Sequence, residues 1–172
     1  MTTDIPNIPT ALPRIPSQTK DAIVDPIYRA LLSIDTANPA LFASAIHEAA
    51  RFSLNGRLLE GADAIKTHVY DTVSRIDTTH HLSNLRITEF DEVTGTASLV
   101  ATVLAQHYRQ GEGLDASSKG LLAGGFYFVD VVREEGDAEV WRVKEWTLRV
   151  LWREGDEGVM ASVNENGEKK EE

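Results

Sequence analysis

At Asp77 the chain changes its period. Before it, apolar residues recur every three or four positions; after it, they alternate along Thr79–Glu89, Thr94–Arg109, Leu121–Glu134 and Val140–Arg153. Turn signals at Asp91-Glu92, Gly111–Lys119 and Gly136-Asp137 separate these runs, which predicts an antiparallel sheet. Strands of 11 to 16 residues exceed the common length and must coil. A coiled sheet has a concave side, helices packed there close a cone, and a cone has a cavity. The last run is irregular. Trp141 and Val143 are apolar on one parity and Trp146, Leu148, Val150 and Trp152 on the other, so a bulge or strong twist is expected near Lys144-Glu145.

Three helical segments precede the strands. Ile23, Ile27, Ala30, Leu31 and Ile34 form one apolar stripe over Thr19–Asp35, which Asp25-Pro26 should kink or restart. Asn38-Pro39 caps a second helix expected to run to about Ala49, and Ile65, Val69, Val73 and Ile76 mark a third from about Ala62 to Ile76. Between them Asn55-Gly56 is a two-residue hairpin signal, because both residues tolerate positive φ. The expected fold is therefore α+β: three N-terminal helices on a strongly curved, mainly antiparallel sheet enclosing a pocket.

Four of the six prolines fall within residues 1–17, an extended arm, and residues 155–172 read as a flexible charged tail. Residues 18–154 make one domain, a size at which about 70% of the unfolded surface can be buried. The net charge of −10, with no basic cluster to offset it, repels phosphate backbones and argues against nucleic acid as a partner. The absence of cysteine removes disulfides, thiolate nucleophiles and thiolate metal sites. No apolar run has the length of a membrane helix and the N-terminus lacks a signal-peptide layout, so a cytoplasmic protein without a membrane partner is expected. No glycine-rich phosphate loop, helix-borne histidine pair or nucleophile elbow is present, hence neither cofactor nor metal is expected. His47-Glu48 and His68 are placed on helices, with surface roles.

The residues able to carry chemistry lie mostly on the strands. His80 and His81 are adjacent and must face opposite ways on a regular strand. His81 shares parity with Ser83, Leu85 and Ile87, which favours it for the interior, whereas a bulge at the strand start would turn His80 inward; both remain candidates, His80 first. His107 shares a face with Leu99, Ala101, Val103 and Ala105, small residues that leave room for a ligand. Asp130 lies on the parity of Phe126 and Phe128 and is a pocket acid if that set faces inward; if Tyr127, Val129 and Val131 are buried instead, it is solvated. Tyr127, Trp146 and Phe126, with Tyr28 on the first helix, are candidate aromatic walls. Residues 110–120 form a loop that could act as a lid.

The order helix, helix, hairpin, helix and four long strands over residues 18–154 resembles the SnoaL-like branch of the nuclear-transport-factor-two-like superfamily. Leu31-Leu32-Ser33-Ile34-Asp35, Thr79-His80-His81-Leu82-Ser83-Asn84-Leu85-Arg86 and Val140-Trp141-Arg142-Val143 resemble its recurring segments. The resemblance implies a cone-shaped α+β barrel, often homodimeric. It places on Asp35 and His80 the helix aspartate and strand histidine shared by scytalone dehydratase and hexachlorocyclohexane dehydrochlorinase. The dehydrochlorinase's helix lysine falls on Ala30 and the dehydratase's tyrosine on Ile34, so neither substrate carries over. The implied activity is a cofactor-independent lyase or isomerase acting on a small, largely apolar or polyketide-like molecule of secondary metabolism. In it Asp35 orients, His80 abstracts a proton, and His107 or Asp130 supplies the acid. A non-catalytic ligand-binding or dimerising module of the same fold is the alternative.

Overall fold

The computed structural model describes residues 8–134, 136 and 140–165, the last four by backbone alone. Helices α1 (Ser17–Asp35) and α2 (Pro39–Ala45) lead into strands β1 (Ile46–Leu54) and β2 (Arg57–Glu60). A broken helical segment follows, α3 (Ala62–Ile65), a π-helical turn (Lys66–Tyr70) and α4 (Asp71–Val73). Then come β3 (Asp77–Asp91), β4 (Thr96–Tyr108), β5 (Leu121–Arg133), β6 (Trp141–Gly155) and α5 (Gly158–Glu165). The strands form one sheet in the order β2-β1-β6-β5-β4-β3, antiparallel except where β1 runs parallel to β6. The sheet is not closed: β2 and β3 remain at opposite edges, and helices cover the concave face. The architecture is the α+β class expected. Among the described residues no helix is long and apolar enough to cross a membrane.

The core is the inward face of the sheet meeting the stripe of α1. Ile23, Ile27, Ala30, Leu31 and Ile34 are all buried, against Leu99, Val103, Tyr127, Val129, Val131, Trp141 and Trp146. Arg29 pins the layers together by donating to Asp25, to the Ser44 hydroxyl at 2.9 Å and to the Trp141 carbonyl at 2.9 Å. Pro26 neither ends nor restarts the helix. It sits buried inside one continuous α1, and Asp25 pairs with Arg29 one turn on instead of capping.

The second helix ends four residues sooner than its apolar spacing suggests. Ile46, Ala50 and Phe52 are all buried on β1, because residues an even number apart share a strand face and a spacing of four fits a helix face equally well. β1 slips against β6 between the Ile46–Val143 and Arg51–Glu145 pairings, where Glu48 and Ala49 are exposed. An irregular strand thus mimics a helical stripe, and His47 lies on β1 rather than on a helix. Asn55 and Gly56 close the β1–β2 hairpin with φ of 46° and 93°, the left-handed conformation the dipeptide tolerates. The slip expected in the last strand is present, since Asp130 pairs with Glu145 while Val131 pairs with Val143, leaving Lys144 unmatched.

Both ends of the chain join the body. The Arg86 guanidinium donates to the Pro9 carbonyl at 3.1 Å, tying the arm to β3. At the other end Val159 is fully buried against Ile76 and Leu121, so the expected tail contains a docked helix before residue 166. Residues 166–172 and 1–7, where the remaining tail and arm expectations fall, lie outside the described residues.

Candidate active site

A cavity of about 350 Å³ opens between the concave sheet face, the π-helical segment and α5. His80, His107, Tyr127, Trp146 and Ile34 line it, with Ala105 and Ala123 between the strands' larger side chains.

Asp35 is held at the last position of α1 by the way that helix ends. The Asn38 N–H bonds the Ser33 carbonyl at 2.8 Å and the Ala37 N–H bonds that of Ile34, with Ala37 at φ 50°, which is a Schellman stop. A carboxylate at a helix C-terminus opposes the macrodipole, so helix stability does not explain this residue. Its partner does: the His80 backbone N–H donates to Oδ2 at 2.9 Å and His80 Nδ1 lies 2.6 Å from Oδ1. An ionised carboxylate only accepts, so Nδ1 carries the proton and Nε2 is left with a free lone pair. Both side chains are largely buried, at 7% and 14% exposure for His80 and Asp35.

His107 stands beside this pair, its ring 5.5 Å from that of His80 and edge-on to it. Its Nδ1 meets the Thr78 hydroxyl at 2.8 Å. Burial, and then the neighbouring His80, lower the His107 pKa to about 4, with Asp35 opposing, so the ring is neutral at neutral pH. Tyr127 is also inside; burial, then the Asp35 charge, raises its hydroxyl pKa, keeping it a proton donor. Trp146 packs edge-on against both Tyr127 and Phe52, at 5.2 and 5.3 Å.

Four expected site residues fall elsewhere. His81 is exposed on the convex face, because the apolar parity it seemed to share is interrupted. Ser83 pairs with Thr102 and Arg86 with Val100, so Asn84 and Leu85 together oppose one residue, Ala101. This bulge, with Asn84 at φ 52°, puts Leu85 and Ile87 on the side of His80. The bulge lies in mid-strand, after both histidines. Asp130 is exposed and Phe126 packs beside Phe128 on the convex face, since Tyr127, Val129 and Val131 are the buried set. Tyr28 is 43% exposed on the outer side of α1.

Other cavity residues carried no signal in the sequence. His68, read as a surface helix residue, is turned to the cavity from the π-helical turn, a distortion common near functional sites. Arg57, Arg153, Glu157 and Met160 line it too, the last two brought by the segment read as a tail. The 110–120 loop does not border this cavity. It flanks a separate surface groove, where the Gly111 and Gly113 N–H groups bond the Asp77 carboxylate at 3.2 and 2.9 Å. His47 lines another groove with Glu48, Lys66 and Arg142. Among the described residues no three His, Asp or Glu side chains converge as a metal site.

A curled mixed sheet with helices across its concave face and a His–Asp pair inside defines a nuclear-transport-factor-two-like pocket protein. Residues 17–147 match the SnoaL-like domain, and the chain belongs to that family. It is 43% identical over 137 residues to terrestric acid biosynthesis cluster protein E of Penicillium crustosum, an alignment covering 80% of this chain and 86% of the relative. Among solved structures it is similar to a protein of Novosphingobium aromaticivorans named for scytalone dehydratase, with 25% identity, TM-score 0.63, and 78% and 85% of the two chains covered. The hexachlorocyclohexane dehydrochlorinase of Novosphingobium barchaimii shares the fold at 20% identity and TM-score 0.63, over 82% and 92% of the chains.

Proposed function

We propose that the protein is a cofactor-independent lyase or isomerase of secondary metabolism, in which His80 removes a proton from carbon beside a carbonyl or a leaving group. The observation that carries this reading is the 2.6 Å contact between His80 Nδ1 and Asp35, which leaves Nε2 as the basic atom of a histidine that lines the cavity. Asp35 fixes the tautomer and stabilises the imidazolium that forms. His107, neutral and adjacent, hydrogen-bonds the departing or enolising oxygen, and Tyr127 and Trp146 shape the apolar wall. The 43% identity to a biosynthetic cluster protein supports a small secondary metabolite as substrate.

The test compares wild type with His80→Gln and Asp35→Asn on a panel of β-hydroxycarbonyl and β,γ-unsaturated carbonyl compounds, followed by absorbance of the conjugated product. Losses of about 10²–10⁴-fold in His80→Gln are expected. Equal turnover by variant and wild type would end the assignment.

A second reading, a non-catalytic ligand-binding or dimerising module, is favoured by Leu104 and Trp152, 39% and 47% exposed on the convex face. It predicts saturable binding with no chemical change in any bound compound.

A further inference from the structure

We infer that the substrate carries a carboxylate, held by Arg153 and Arg57 at the end of the cavity opposite His80. The inference deepens the proposed function and rests on the cavity being its substrate site.

The sheet register supplies the geometry. His80 pairs with Ala105, Ala105 with Ala123, and Ala123 with Arg153, so the four residues form one row straight across β3, β4, β5 and β6. All four line the same cavity. Three strand spacings separate the backbones at the two ends, about 14 Å. Between them the floor is two methyl groups, which leaves the space above open, and the two ends of the row are a histidine and an arginine that both border the cavity. A molecule lying in this trough meets the base at one end and a planar cation at the other.

Arg57 reaches the same cavity from the β1–β2 hairpin. That hairpin is seated on β6: the Asn55 N–H bonds the Leu148 carbonyl at 3.2 Å and Asn55 Oδ1 accepts from the Val150 N–H at 3.1 Å. Neither guanidinium is committed elsewhere. Arg57 has no ion-pair partner among the described residues, and Arg153 has only Glu157, with its nearest oxygen 3.9 Å away. Asp156, nearby in sequence, is taken by Arg109 at 2.7 Å. Among the described residues Glu157 is thus the sole carboxylate on a wall with two arginines, in a chain whose net charge is −10. A local excess of positive charge at one end of the cavity selects an anion, and the forked donors of arginine fit the two oxygens of a carboxylate.

The experiment is calorimetric titration of the full chain at low ionic strength with 2-naphthoate and with its neutral counterpart 2-naphthalenemethanol. Wild type is expected to bind the carboxylate at least about tenfold more tightly. In R153Q and R57Q that preference shrinks towards unity while affinity for the alcohol is unchanged, which also shows that the variants are folded. In H80Q the preference persists. Equal affinities in wild type, a preference that survives in the R57Q/R153Q double variant, or no binding of either probe up to about 1 mM would each overturn the inference. Failure of the proton-abstraction reading appears instead as undiminished turnover by H80Q, which leaves this titration unaffected.

Discussion

His107 ties the chemistry of the site to its stability. Its pKa is lowered from 6.5 to about 4, by burial first and then by His80. Between those two values the unfolded chain binds a proton that the native state refuses, so stability falls as pH drops from about 6.5 towards 4, by up to about 3 kcal/mol for this group. His107→Gln removes that contribution. Urea denaturation at pH 7 and pH 4.5 is expected to show a smaller loss in the variant; parallel losses in the two proteins would mean that His107 titrates normally. His107 could be picked out in the sequence because it ends a run of small inward residues. Asp35 and His80 could be paired only through resemblance, since 45 positions separate them and nothing local says that a helix end meets a strand start. Arg153 could not be found at all: its relation to His80 exists only through three strand registers.

Among the elements, β3 shows most clearly where alternation misleads. Period-two reasoning assumes an unbroken strand, and one extra residue at Asn84 reverses the side chains that follow it until a second slip, between Ile87 and Glu89, restores the parity and turns Phe90 to the core. Asn84 holds φ 52°, a conformation that glycine adopts freely and a β-branched residue resists. Asn84→Gly is therefore expected to stay within about 1 kcal/mol of wild type, and Asn84→Val to lose about 2 kcal/mol more than the glycine variant. Denaturation midpoints measure this directly, and equal midpoints for the two variants would show that the bulge is not under conformational constraint. The slip at Lys144 was legible because large apolar residues mark both parities; at Asn84 the polar Ser83 and the His81 ring gave no such contrast. In β1 the opposite error arose, an irregular strand with the spacing of a helix. At the C-terminus, Val159 and Met160 were too short an apolar signal to announce α5 inside a charged segment.

For the molecule as a whole, the order of helices, the hairpin and the long strands was enough to predict the class of fold, because twist and length leave few ways to bury so much strand surface. What the cavity holds depended on register, bulges and a docked C-terminal helix, each set by tertiary pairing. Those elements converge on one arrangement: α1 ends at Asp35, the β3 bulge brings Leu85 and Ile87 to the concave side that His80 occupies, and the sheet carries His107 to 5.5 Å from its ring. The consequence is a single tautomer of the neutral His80 imidazole. Long-range proton–nitrogen NMR of uniformly labelled protein, with His80→Gln assigning the resonances, reads that tautomer directly. A proton on His80 Nδ1 with Nε2 bare at pH 7, a preference lost in Asp35→Asn, is the result predicted. A proton on Nε2 instead would leave no base facing the cavity and would contradict the account.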